Sequence, residues 1–261
     1  MNLKTNYVGI DTSLSSTGMY ILTKEGKEYY FNYKNNNKLS KWHKVLSYTK
    51  YTSYDNIKTD EYGTTEIAKL LQYDNITTKM LNDIKEVCNL EETTVITEGY
   101  SYSSSNTSSL IDLIGYATLL RTKILKHNVY DFIIKPPSSL KMETGACTYE
   151  PNIKEIGGKN PRTEYSFKNP LGLSAGNFQK HDMLEAMFDN VNININIKKT
   201  LLEHKTDILK MKSIPKPIDD IIDAVWLVYT EILKTDNIQY MLDNTTSAHT
   251  KRKKKVKKKK K

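Results

Sequence analysis

The chain has 261 residues, 38% hydrophobic and 26% charged, enough apolar material for the core of one domain with insertions, which excludes disorder throughout. No apolar run approaches the roughly 20 residues of a membrane-spanning helix, the first residues lack an apolar signal core, and two cysteines cannot build a disulfide framework. An intracellular protein with no membrane partner is expected. Ten of the 39 Lys and Arg fall in residues 251–261, leaving 29 against 30 Asp and Glu, so a near-neutral body carries a polybasic tail suited to a polyanion or to nuclear import.

Residues 7–10 and 19–22 are short apolar runs separated by a polar, turn-rich segment, the pattern of a hairpin, and the aromatic run 29–33 adds a third strand after the turn at 24–27. Residues 35–62 are polar and Tyr-rich, without a period, and take no assignment. From 65 to 88, Ile67, Leu70, Leu71, Met80, Leu81, Ile84 and Val87 recur near helical spacing and predict one or two helices, interrupted around Asp74-Asn75. The β-branched run 94–97 predicts a strand ending at Glu98. A Ser-rich loop over 101–109 follows, then a helix marked by Leu110, Leu113, Ile114, Ala117, Leu120 and Ile124. Gly115 in that helix is expected to serve close packing against a neighbour.

Residues 130–134 predict another strand, stopped at Pro136-Pro137. Residues 145–177 hold Gly157-Gly158, Pro151, Pro161 and Pro170 without periodicity and read as a long loop insertion, its Lys154, Lys159, Arg162 and Lys168 either touching DNA or disordered. Helices are expected around 179–188 and 200–211. Between them, Val191, Ile193, Ile195 and Ile197 alternate with asparagines, as an edge strand or as low-complexity sequence. The last helix is the clearest: Ile218, Ile221, Ile222, Val225, Trp226, Tyr229, Ile232 and Leu233 form one stripe, Pro215 and Pro217 mark its start, and Asp219, Asp220 and Asp223 cluster on it. The domain is expected to span 1–235, with a linker and disordered tail over 236–261.

Four carboxylates stand where strand ends and a helix face can converge: Asp11, Glu98, and Asp220 with Asp223 one helical turn apart. Taken singly, each also fits a loop cap or a helix-dipole partner. Together they would repel one another unless they held divalent cations, and an all-oxygen set favours Mg²⁺ or Mn²⁺ over zinc. Two such ions roughly 3.5 to 4 Å apart can clamp a phosphodiester, which is nuclease chemistry.

The run Val8-Gly9-Ile10-Asp11-Thr12-Ser13-Leu14-Ser15-Ser16-Thr17-Gly18 resembles the first motif of RuvC-type Holliday junction resolvases of the ribonuclease H superfamily. Ile96-Thr97-Glu98 resembles their second acidic strand, and Asp220-Ile221-Ile222-Asp223-Ala224 their terminal acidic helix. Pro137-Ser138-Ser139-Leu140-Lys141 and Gly176-Asn177-Phe178-Gln179-Lys180 resemble the lysine-bearing segment between them, split by the insertion. The resemblance implies an α/β, ribonuclease H-like fold with a five-stranded mixed sheet flanked by helices, a homodimer, and paired, Mg²⁺-dependent nicking of branched DNA at four-way junctions. It makes Asp11, Glu98, Asp220 and Asp223 the catalytic metal ligands for two ions, turns Lys141 and Lys180 toward DNA phosphate, and offers Tyr100 or Tyr102 for stacking on unpaired bases. The wealth of Asn, Lys, Ile and Tyr fits an AT-rich genome such as that of a large DNA virus or phage.

Three rival functions share some of these features. A ribonuclease H or another branched-DNA nuclease would keep the fold and the metal cluster. An actin-like or sugar-kinase ATPase would explain the first hairpin but requires a second Asp-x-Gly phosphate hairpin, which is not evident. A non-catalytic DNA-binding scaffold would act through the tail. His181-Asp182 reads poorly as an acid/base pair, because adjacent helical residues point apart.

Overall fold

A computed structural model of the chain describes residues 3–36, 38–100, 107–136, 139–157, 162–167, 178–236 and 238–239. Tyr102, the Gly176-Asn177 pair and the polybasic tail lie outside the described residues. The chain divides into two compact units, Met1–Pro137 with Ile195–Val228, and Ser138–Asn194 with Tyr229–Lys261.

In the first unit, β1 (Asn6–Asp11), β2 (Ser16–Leu22) and β3 (Glu28–Lys34) form the expected antiparallel meander. The β2–β3 turn closes through Thr23, whose amide donates to Lys27 O at 2.9 Å, with Gly26 at φ 81°. After α1 (Lys41–Val45) comes β4 (Lys50–Ser53), then α2 (Tyr62–Val87), β5 (Thr93–Glu98), α3 (Thr107–Leu125) and β6 (Asp131–Lys135). Among the described residues the sheet has six strands in the order β4-β3-β2-β1-β5-β6, with β5 parallel to β1, β6 parallel to β5 and β4 parallel to β3. β4 is the addition to the five expected strands. It comes from the Tyr-rich stretch that had no period, and Tyr51 explains why: its hydroxyl donates to His43 O at 3.2 Å and Leu46 O at 3.1 Å, so the residue ties down the preceding turn rather than completing an apolar alternation.

Successive strand residues point to opposite faces. Val8, Ile10, Met19, Ile21, Phe31, Tyr33 and Val95 join a core with Ile76, Met80, Leu81 and Ile84 of α2 and Tyr116, Leu120 and Ile124 of α3. Contrary to the expected interruption, α2 runs unbroken through Asp74-Asn75. Asp74 is exposed and pairs with Lys123 at 2.8 Å, and its carbonyl accepts from Thr78 at 2.7 Å, so these polar residues are satisfied without breaking the helix. Asp83 of α2 is fully buried and receives the Tyr33 hydroxyl at 2.7 Å, Lys50 at 2.8 Å and Lys79 at 2.5 Å. Gly115 also departs from expectation, since a Cβ there would meet nothing within 4 Å.

The first unit is completed by α6 (Asn196–Leu202), α7 (Lys205–Leu209) and most of α8 (Ile218–Ile232). α6 docks on β3, where the Asn196 amide donates to Glu28 at 2.9 Å and the Ile197 amide to the Tyr30 hydroxyl at 3.4 Å. Trp42 meets His204 edge-on at 5.8 Å, and His43 bonds Ser40 Oγ at 2.7 Å, which gives both aromatic residues of α1 structural partners.

The second unit holds α4 (Ser139–Thr148), β7 (Pro151–Ile156), β8 (Arg162–Phe167) and α5 (Lys180–Asp189). The expected long loop therefore contains an antiparallel hairpin, with Pro151 at the first strand position, where a missing amide donor is tolerated. A Cβ on Gly145 would stand 2.8 Å from the Phe167 ring, so α4 lies close on β8. Asp182 caps α5 by accepting from the Gln179 amide at 2.7 Å, which accounts for it without any role for His181. The alternating isoleucines form no strand: Asn190 Oδ1 accepts from the Asn192 amide at 3.0 Å in a turn, and Ile193, Ile195 and Ile197 are all buried.

Candidate active site

α8 is buried almost all round over 218–228, including Asp220 at 0% and Asp223 at 4% exposure, so its two inner carboxylates are held within the fold. Two glycines admit it to the sheet. A Cβ on Gly9 would lie 2.1 Å from Ala224 O, and one on Gly18 would lie 2.3 Å from Asp220 O and 3.0 Å from Asp220 Cβ. The helix backbone thus rests directly on β1 and β2, at a distance any larger residue would forbid.

Register does the rest. Asp11 pairs across the sheet with Gly18, so its side chain rises on the face where α8 presents Asp220. Ile10 pairs with Thr97, which makes Asp11 and Glu98 the next residues on parallel neighbours, and by strand alternation both belong to the α8 face. Glu98 pairs in turn with Lys135 of β6, a buried lysine. The end of β5 is fixed by two contacts: the Gly99 amide donates to Lys135 O at 2.6 Å, and Arg121 of α3 donates to Glu98 O.

Lys216, just before α8, closes the group. Its ammonium pairs with Asp220 Oδ1 and lies 3.5 Å from Asp219, while Asp220 Oδ2 is buried and makes no hydrogen bond to a described residue. Burial pushes the Asp220 carboxyl up to about 7; Lys216 works against that shift and the Asp11 charge adds to it. Burial disfavours the Lys216 ammonium, but Asp220, Asp219 and Asp11 more than compensate and raise it above its ordinary value. Asp11 and Asp220 are therefore close enough to feel each other's charge.

Among the described residues, no three His, Cys, Asp or Glu side chains gather tightly enough to form a metal cage. Asp220 comes within charge range of Asp11, Glu98 stands on the neighbouring strand at the same sheet face, Asp223 follows one turn along α8, and the positive charge beside Asp220 comes from Lys216. The donor set suits a hard divalent cation: it is all oxygen, and the buried Asp220 Oδ2 lacks a proton donor. The other expected residues sit elsewhere. Tyr100 carries the Arg121 guanidinium 4.2 Å over its ring and bonds Thr118 at 2.6 Å, so one ring face is already covered. Lys141 on α4 and Lys180 at the start of α5 belong to the second unit, both half-buried.

Sequence reasoning missed Lys216, Arg121, Lys135 and the two packing glycines. Lys216 precedes α8 and carries no helical-spacing signal of its own, so its approach to Asp220 shows only in the packed structure. Arg121 carries no local signal.

No family model and no curated protein matches the chain. Solved structures similar to it include Thermus thermophilus RuvC in complex with Holliday junction substrate, at 9% identity and TM-score 0.44 over 88% of this chain and 93% of that one. The yeast mitochondrial Holliday junction resolvase Ydc2 is similar at 12% identity and TM-score 0.47, over 93% of this chain and 82% of that one. Likeness of this degree concerns the fold alone, and what the chain does rests on its side chains. No helix among the described residues is long and apolar enough to cross a membrane.

Proposed function

We propose that the protein is a divalent-metal-dependent endonuclease that resolves four-way DNA junctions by paired nicks. The observation that carries the reading is the approach of Asp220 to Asp11 over Gly18, in which the sheet gives up a side chain to seat one carboxylate beside another. A purely structural helix would gain nothing from burying Asp220 there, since burial of a carboxylate costs free energy unless its charge is needed. The junction as substrate rests on the likeness of the three acidic motifs to those of RuvC-type resolvases.

Asp11, Glu98, Asp220 and Asp223 would hold Mg²⁺, with Mn²⁺ as a substitute. When bound, such ions supply Lewis-acid activation of water and charge neutralisation at the phosphate. The carboxylates orient the attacking water toward phosphorus, the bond to the 3′ oxygen breaks, and the products are a 5′-phosphate and a 3′-hydroxyl. Arg121, by holding the Glu98 carbonyl and the Tyr100 ring, fixes where the Glu98 side chain begins. Lys141 and Lys180 would meet DNA phosphate, Tyr100 or Tyr102 would stack on an unpaired base, and two copies of the chain would supply the two nicks.

The test is cleavage of a labelled synthetic four-way junction beside linear duplex and RNA/DNA hybrid, in Mg²⁺ or EDTA, with Asp11→Asn as control. Symmetric, ligatable nicks in the junction alone, lost in EDTA and in the variant, are expected. Cleavage of the hybrid instead would move the activity to ribonuclease H, and tight junction binding without cleavage would leave a DNA-binding scaffold.

A further inference from the structure

We propose that Lys216 is a built-in counter-cation: its ammonium occupies the carboxylate site of the metal-free protein, holds Asp220 and Asp11 together, and must swing away for a divalent ion to enter. The proposal rests on the reading of Asp11 and Asp220 as metal ligands.

Three observations support it. Lys216 Nζ contacts Asp220 Oδ1, lies 3.5 Å from Asp219, and is within electrostatic range of Asp11, so it faces the carboxylates rather than solvent alone. Its side chain is still 46% exposed, whereas Asp220 is fully buried. The ammonium therefore reaches in from the rim on a flexible stem and can withdraw without disturbing α8, which is anchored by Gly9 and Gly18. The Asp220 carboxylate draws on Lys216 and on the Ser16 side chain, yet its buried Oδ2 is left without a hydrogen bond from a described residue. An ammonium has three donors and one charge, and a divalent ion brings two charges to the same oxygens.

The device solves an assembly problem. Two carboxylates pressed together by backbone contact would push the helix off the sheet before any metal arrived. A lysine just before α8, already in contact with Asp220, supplies the missing charge during folding. The cost is competition, because each divalent ion must displace the ammonium and then bind beside a residual positive charge.

The test uses the full chain at pH 8, with Mn²⁺ binding read by electron paramagnetic resonance of the free ion and Mg²⁺-induced change in melting temperature as a second readout. Lys216→Met removes the charge and keeps most of the stem, Lys216→Arg keeps the charge, and Asp11→Asn reports whether bound metal sits at this site. Lys216→Met is expected to bind Mn²⁺ about tenfold more tightly than wild type, the scale of one partly screened charge contact. It should also melt lower in EDTA and show a larger Mg²⁺-induced rise, while Lys216→Arg stays near wild type. Equal or weaker Mn²⁺ binding by Lys216→Met, with wild-type binding that is lost in Asp11→Asn, would overturn the counter-cation and leave the metal site standing. No Mn²⁺ binding by any form would overturn the metal site itself and the counter-cation with it.

Discussion

Replacing Asp220 with Asn should make the metal-free protein more stable at pH 8. The folded state raises the Asp220 carboxyl from 3.8 to about 7, through burial first and the Asp11 charge second, despite the pull of Lys216. At about 1.4 kcal/mol per tenfold change in proton affinity, this corresponds to roughly 4 kcal/mol of stability lost on ionisation. The sign follows from proton binding. The folded protein holds this proton more tightly than the unfolded chain, so its contribution is complete below about pH 4 and is lost as pH rises through about 7. Asn recovers only part of this, because its amide stays buried and Lys216 loses a charged partner, leaving about 1 to 3 kcal/mol. For a chain of this size that is a rise in melting temperature of several degrees. The assay is thermal melting in EDTA from pH 4 to pH 8. The gap between Asp220→Asn and wild type should open with rising pH and close near pH 4, and saturating Mg²⁺ should narrow it at pH 8 by stabilising wild type more. A variant that is no more stable than wild type at pH 8, with the same pH dependence, would refute the electrostatic account of the site.

Gly18→Ala forces a Cβ to within 2.3 Å of Asp220 O; it should cost about 2 to 3 kcal/mol in chemical denaturation and abolish junction cleavage even where the protein stays folded. Gly115→Ala, made in open space inside α3, should instead stabilise by about 0.5 to 1 kcal/mol and leave cleavage unchanged, which separates the two kinds of glycine in one pair of denaturation curves. Burial alone would raise the Asp83 carboxyl, but hydrogen bonds from Lys50, Lys79 and Tyr33 hold it below its ordinary value. Its stabilisation is therefore present at neutral pH and lost as pH falls through that lowered value. Asp83→Asn should cost about 2 kcal/mol at pH 7, with the difference from wild type shrinking below about pH 4 in urea titrations.

Much of this architecture was legible because its signals are local. Strands β1, β2, β3, β5 and β6 are apolar or aromatic runs ended by polar turns or prolines, and α8 carries a helical stripe with two acidic residues one turn apart. Asp11 and Glu98 were visible as acidic residues at the ends of such strands, which is where a ligand site in an open α/β sheet is built. The rest depends on contacts far apart in sequence. β4 exists because residues 31–34 offer an edge to pair with, and its own sequence alternates with nothing. Gly115 sits among apolar helical residues, the usual setting of a packing glycine, yet the close approaches of α8 are at Gly9 and Gly18, where the partner is a backbone more than 200 residues away in the chain. Asp74-Asn75 looked like a helix break because polar pairs often end helices, but an exposed face tolerates them. Lys216 lay outside the acidic motif, and only the packed start of α8 shows that its ammonium turns toward Asp220.

Metal-dependent cutting of four-way junctions by paired nicks at these carboxylates can be read from a supercoiled plasmid with an extruded cruciform. Paired cutting within one binding event converts the circle to linear DNA, whereas independent single cuts give nicked circles. Linear product is expected in Mg²⁺, none in EDTA, and none from Asp11→Asn or Asp220→Asn. Nicked circles alone, cutting of a plasmid without the cruciform, or full activity in either variant would contradict it.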